Sequence, residues 1–192
     1  MFYSYTDPRD DEIYRVLETN TGDFWMVDNL NYNLQGSLAK EGRNGRYYGG
    51  IHLPDVAPPG WKIPSIKDWD SLFKSYGKSL TKLISAGFNI EPTGLLEPYT
   101  SENGKLEGAH YNPGSTYYMT SENPKKGFIW DIFSIFLPKI MSDYLPRNPE
   151  FSIRIFFNGD RQMTAFSESS NSHFVPVRCF ANVMPNGLLE MC

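Results

Sequence analysis

Apolar positions switch along the chain between the two-residue period of strands and the 3.6-residue period of helices, with turn formers or caps at the switches. Ile66, Trp69, Leu72, Phe73 and Tyr76 fall on one helical face, and Gly77 supplies a stop. Ser65 stands just ahead with Asp68 three residues on, the capping-box spacing with Asp in place of Glu, and the carboxylate suits the positive end of the helix dipole. The rigid Pro58-Pro59-Gly60 turn delivers Trp61, read as a core anchor, just before this helix. A short amphipathic helix with two tryptophans beside it needs a sheet to bury them. Leu80, Leu83 and Ile84 predict a second short helix ended by Gly87.

Upstream, residues 12–19 and 24–29 are β-favouring runs separated by Asn20-Thr21-Gly22-Asp23, which predicts an N-terminal hairpin. Residues 31–50 are polar and glycine-rich and read as a long loop with a short strand at Arg46-Tyr47-Tyr48. Residues 94–114 read as a second loop-rich tract, with turns at Glu97-Pro98, Asn103-Gly104 and Asn112-Pro113-Gly114. Phe151-Ser152-Ile153-Arg154-Ile155-Phe156-Phe157 alternates as a half-buried strand, Asn158-Gly159 is a hairpin turn, and residues 161–166 return as its partner. Residues 173–180 form a last strand, so the domain spans 1–180 and residues 181–192 form a C-terminal tail.

The run Phe128-Ile129-Trp130-Asp131-Ile132-Phe133-Ser134-Ile135-Phe136-Leu137 is the most apolar in the chain, and its type is ambiguous. Two accounts stay open: core filling, or a surface docked on another chain through Phe128, Trp130, Phe133 and Phe136. The tail raises the same question through Leu188 and Leu189. The expected partners are therefore other protein chains, as a homo-oligomer or a larger assembly.

Composition narrows the classes. The 192 residues suit one domain with an extension, and 12 Tyr, 13 Phe, 4 Trp, 16 Gly and 14 Pro suit short strands and structured loops over a helical bundle. A formal charge of -4 with no basic run argues against nucleic acid as a partner. No run is long enough for a membrane-spanning helix, and the N-terminus lacks the basic start and apolar stretch of a signal peptide. Two cysteines, Cys179 and Cys192, are too few for a disulfide framework and suit a reducing compartment. The glycines around Arg43 and Arg46 do not form a phosphate loop, because no Lys-Ser/Thr follows. His52, His110 and His173 are scattered singly, without metal-ligand spacing.

Four stretches together carry a resemblance. Thr6-Asp7-Pro8-Arg9-Asp10, Phe24-Trp25-Met26-Val27-Asp28-Asn29-Leu30-Asn31-Tyr32, Pro59-Gly60-Trp61-Lys62-Ile63-Pro64-Ser65 with Asp68-Trp69, and Phe174-Val175-Pro176-Val177-Arg178-Cys179 resemble the successive signatures of the Fibrobacter succinogenes major paralogous domain family. The resemblance implies an α+β, C-type lectin-like fold with paired N- and C-terminal strands, two short helices and a long-loop half. Family members place a cysteine just before the Pro-x-Gly-Trp turn, implied to pair with that of Val-Arg-Cys, whereas this chain has Ala57 there. The family is commonly exported. Loss of the cysteine pair and of a signal peptide together fit a member that folds in cytoplasm, such as a phage virion protein, and drift in an ordinary intracellular protein fits as well.

The resemblance also frames the chemistry. Calcium-dependent sugar-binding lectins carry Glu-Pro-Asn or Gln-Pro-Asp followed by Trp-Asn-Asp, and here Glu91-Pro92-Thr93, Glu97-Pro98-Tyr99 and Trp130-Asp131 all fall short. The formylglycine-generating, sulfatase-modifying relatives need two cysteines placed differently, and Cys179 reads as a buried inert thiol. No catalytic residue, metal or cofactor is expected. Tyr47, Tyr48, Tyr99, Tyr111, Tyr117 and Tyr118 are the candidates for stacking on a glycan or contacting a protein, with about half of them expected in the core. The expectation is a non-enzymatic binding or structural module: a virion protein (tail, fibre or capsid-associated), or an adhesin-like protein that recognises a glycan or cell-surface receptor. Its location is virion or cytoplasm. The alternative is an enzyme distantly related to the formylglycine-generating group.

Overall fold

Strand β1 (Phe2–Thr6) pairs antiparallel with β2 (Ile13–Glu18), and β2 pairs with β3 (Phe24–Met26) across the predicted turn at residues 20–23. In this computed structural model, residues 1–111, 115–121, 151–156, 168–169 and 173–191 are described. The architecture is α+β, with mostly antiparallel sheets and few, short helices.

The first and last parts of the chain share one five-stranded sheet, ordered β12-β3-β2-β1-β13, where β12 is Phe180–Ala181 and β13 is Leu188–Glu190. The N- and C-terminal strands therefore pair, with Tyr3 opposite Glu190 and Tyr5 opposite Leu188. Within the C-terminal tail, Leu188–Glu190 supplies β13 to the chain's own sheet. The predicted single strand over 173–180 is instead two short strands, β11 (Val175–Pro176) and β12, in different sheets. Between them the chain is held by Leu30 N donating to Val177 O and Met26 N donating to Cys179 O.

Strand alternation sends successive side chains to opposite faces, and much of each face of this sheet is covered. One face sets Tyr3, Tyr5, Tyr14, Val16 and Met26 against Trp61, Ile63, Tyr48 and Cys179. The other sets Leu17, Trp25, Val27 and Phe180 against helices α2 (Ile66–Ser75) and α3 (Leu80–Ser85) and Phe88. Each large apolar side chain fully buried here contributes roughly 1.5–3 kcal/mol, an upper figure because the unfolded chain is not fully exposed. A one-turn helix α1 (Leu53–Val56) precedes the proline turn.

Helix α2 starts where the spacing places it. Ser65 Oγ accepts from Asp68 N at 3.1 Å, and Asp68 Oδ2 accepts from Ser65 N at 2.8 Å, so two of the helix's otherwise unpaired donors are satisfied. Trp69, Leu72 and Phe73 are its buried residues.

Among the described residues there are also three smaller sheets: β4 (Leu38–Ala39) with β5 (Arg46–Tyr48) and β11; β8 (Ser115–Met119) with β9 (Phe151–Phe156) and β10 (Glu168–Ser169); and the hairpin β6 (Leu95–Thr100) with β7 (Leu106–Tyr111). The predicted strands at Arg46-Tyr47-Tyr48 and from Phe151 are both present. The tract over 94–114 differs from expectation, since residues 95–100 and 106–111 form a regular ladder. Glu97-Pro98 is a strand segment and not a turn. The Asn158-Gly159 turn, its return strand over 161–166 and the apolar run over 128–137 lie outside the described residues.

Candidate functional site

Among the described residues, the hairpin β6–β7 carries a run of exposed side chains on a regular ladder. Its turn is set by Asn103-Gly104: Gly104 takes φ of +78°, Asn103 Oδ1 accepts from Lys105 N at 3.1 Å, and Ser101 N donates to Lys105 O at 2.9 Å. Its base is anchored. Leu96 exchanges two backbone hydrogen bonds with Phe174, at 2.9 and 2.7 Å, and its side chain joins Leu38 and Tyr47 in a small apolar cluster. Gly108 fits closely against it, since a Cβ there would stand 3.0 Å from Leu96 Cβ and 3.1 Å from Leu38 Cδ1 and those side chains would have to give.

Beyond this base, Glu97, Tyr99, Thr100 and residues 102–106 are exposed. Tyr99 pairs directly with Glu107 across the ladder, and its hydroxyl donates to Glu107 Oε2 at 2.9 Å, which raises the Tyr99 pKa. The ring, 47% exposed, is thereby held in one orientation on the strand face that also carries Glu97, two residues earlier. A fixed aromatic face beside carboxylate acceptors suits the C–H face and hydroxyls of a sugar ring, or the apolar and basic side chains of a protein.

Of the other tyrosine candidates, Tyr47, Tyr48, Tyr117 and Tyr118 are corrected: all four are buried and unavailable to a ligand. Adjacent strand residues face opposite ways, and β5 and β8 are each covered on both sides. Tyr48 and Tyr117 enter the core around Trp61, Tyr118 enters the helix-side core, stacked on Trp69 at 5.0 Å, and Tyr47 packs on Leu38 and Leu96. Two of the buried hydroxyls find carbonyls, as Tyr47 donates to Thr93 O at 2.7 Å and Tyr48 to Tyr32 O at 2.7 Å. Burial pushes the Tyr47 hydroxyl up to about 12. Tyr111 is the last residue of β7, and its side chain is outside the described set.

Of the interface candidates, Phe128, Trp130, Phe133 and Phe136 lie outside the described residues. Leu188 is half-buried against its own core, whereas Leu189 is 67% exposed.

Polar groups elsewhere have structural surroundings. Asp7, fully buried, accepts from Arg9 Nε at 2.9 Å and Arg9 Nη2 at 2.7 Å, and the same guanidinium donates to Asp55 O and Ala57 O while lying 3.9 Å from the centre of the Tyr32 ring. This ties the Asp-Pro-Arg stretch to the turn before Trp61. His52 Nε2 meets Gln35 O at 3.0 Å, which requires a proton there, leaving Nδ1 to accept from Gly49 N at 3.0 Å. His110 Nε2 likewise donates to Thr93 O at 2.8 Å. The Cys179 thiol is fully buried, and burial pushes its pKa up, the opposite of an activated nucleophile.

Arg178 is the functional-looking residue that sequence reasoning passed over. Its side chain is buried between Phe88 and Tyr118, at 4.9 and 5.0 Å from their ring centres, with Nε donating to Asn29 Oδ1 at 3.0 Å and Nη2 to Asn89 O. Burial lowers its pKa. The signals were its place in the Val-Arg-Cys signature and its position between Val177 and Cys179 in an apolar segment, although strand alternation points such a residue to solvent.

No protein-family model, curated protein or solved structure matches the chain. Among the described residues no group of three or more His, Cys, Asp or Glu is placed to hold a metal ion, and no helix is long and apolar enough to cross a membrane.

Proposed function

We propose that this chain is a non-enzymatic binding or structural module on a C-type lectin-like scaffold, and that the outer half of β6–β7 is its recognition element. The observation that carries the reading is Tyr99, exposed on an anchored hairpin and fixed by Glu107. A rigid aromatic ring loses little conformational freedom on binding, which favours it as a contact residue. The ligand class is a glycan, met by stacking on Tyr99 with hydroxyls donated to Glu97 and Glu107.

The scaffold assignment is supported by how the four motif stretches meet. The Arg9 guanidinium lies over the Tyr32 ring, Trp25 packs on Trp69, Leu30 N donates to Val177 O, and Arg178 reaches Asn29. Pairing of β1 with β13 is the closure that such a fold uses. On this reading the protein belongs to the Fibrobacter succinogenes major paralogous group and serves as a virion component or adhesin-like protein, working in the virion or the cytoplasm.

A glycan array probed with the parent protein and with Tyr99→Ala tests the recognition claim. Binding to a glycan class by the parent, weakened at least about tenfold in the variant at equal melting temperature, is the expected outcome. Absence of any glycan signal, or equal signals from both proteins, overturns it.

A further inference from the structure

The outer edge of β13 is built to pair. In the β1–β2 ladder Glu18 N donates to Met1 O, and in the β1–β13 ladder Met191 N donates to Phe2 O. Main-chain groups alternate sides along a strand, so Phe2 and Ser4 serve β13 while Tyr3 and Tyr5 serve β2. On β13 itself, Leu189 and Met191 turn inward to β1. The N–H and C=O groups of Leu188 and Glu190 turn outward, and no strand among the described residues takes them. The opposite edge of the sheet differs, because Phe180 exchanges two backbone hydrogen bonds with Lys62, at 3.0 and 3.1 Å.

Sheet edges are ordinarily blunted by proline, lysine, a bulge or cover. Leu188-Leu189-Glu190 has no Pro or Lys, its one charge being Glu190, and Leu189 is one of the exposed large apolar side chains. The arrangement is also self-complementary. If a second β13 is laid antiparallel with Leu189 opposite Leu189, each Leu188 faces a Glu190 as a hydrogen-bonded pair, and all four outward groups of each strand find partners. The two Leu189 residues then occupy a non-hydrogen-bonded position, with Cα atoms about 4.5 Å apart and side chains in contact on one face.

We propose that the β13 edge pairs with the same edge of a second copy of this chain, about a two-fold axis through Leu189, joining two five-stranded sheets into one. This contact is isologous and closed, so it makes dimers and not filaments. A three-residue strand buries far less than the roughly 1,200–2,000 Å² of a standard interface, so the dimer is a weak, concentration-dependent one. The inference is independent of glycan recognition by the hairpin.

Sedimentation velocity from about 10 to about 500 µM reads it, a range that spans a Kd on the order of 100 µM. The parent mass should rise toward that of two chains. Leu189→Lys, which sets two ammonium groups together at the axis, and Glu190→Pro, which removes an outward N–H that no described strand takes, should each weaken the dimer at least about tenfold. Melting temperature should stay that of the parent for Leu189→Lys, and if Glu190→Pro proves less stable, Leu189→Lys decides alone. Ile13→Lys is the control, since Ile13 is exposed on the same sheet face but away from the edge, and it should dimerise as the parent does. A parent that stays monomeric throughout, association that survives Leu189→Lys, or association lost equally in Ile13→Lys overturns the proposal.

Discussion

The Trp61 ring stands edge-on to Tyr5, with centroids 5.2 Å apart and an interplanar angle of 63°. This contact fastens the segment after the proline turn to the central strands of the sheet, and α2 begins only a few residues later. Trp61→Ala should therefore cost about 3–5 kcal/mol, as a large cavity opens between β1 and the turn. Ser65→Ala, which removes only the cap, should cost about 1 kcal/mol. Chemical denaturation of both variants checks the pair, and a Trp61→Ala midpoint equal to the parent's would contradict the core assignment.

Those two residues also mark what was legible in the sequence. Ser65, Asp68 and the apolar face after them report local physics, so the helix and its cap could be read directly. The turn at residues 20–23 and the alternating run from Phe151 were legible for the same reason. Strand β6 was not, because Leu95-Leu96-Glu97-Pro98-Tyr99-Thr100 lacks alternation and contains a proline, and the close fit at Gly108 comes from Leu38 and Leu96, which are distant in sequence. The burial of Tyr47 beside Tyr48, and of Tyr117 beside Tyr118, follows from layers on both sides of short strands, a tertiary fact that neighbouring residues do not encode. Tyr99 was among the candidates, yet nothing local separated it from the four buried tyrosines. Strand β13 was hidden by its shortness.

The Arg15–Asp28 pair should give stability a pH dependence. Burial alone would push the Asp28 carboxyl up, but hydrogen bonds from the Arg15 side chain and backbone, at 3.1, 2.6 and 3.0 Å, outweigh it and hold the pKa below its ordinary value. The folded protein then binds fewer protons at this site than the unfolded chain does, so the stabilisation is complete above about pH 4 and fades as pH falls through the folded value. Asp28→Asn should cost about 0.5–1 kcal/mol at neutral pH, modest because both side chains are partly exposed. The deficit should shrink as pH falls below about 4. Urea titrations of both proteins across pH 2–7 decide it, and a deficit that grows on acidification would be the wrong sign.

Cys179 should behave as a buried free thiol. In the native protein it should resist alkylation far longer than after denaturation, because it is enclosed and its thiolate is disfavoured. Under denaturing conditions without reductant, intact mass should show both Cys179 and Cys192 modified. A mass with neither modified would mean that the two are joined.

In the proposed function a fixed scaffold presents the outer half of β6–β7 for recognition. An NMR titration of the labelled protein with the strongest glycan from the array tests it most directly, read as backbone amide shifts along the chain. The large shifts should fall within residues 97–107, with Tyr99 and Glu107 among them, and the amides of α2 and the five-stranded sheet should stay unmoved. Shifts centred anywhere else on the molecule, or none at saturating glycan, would contradict it.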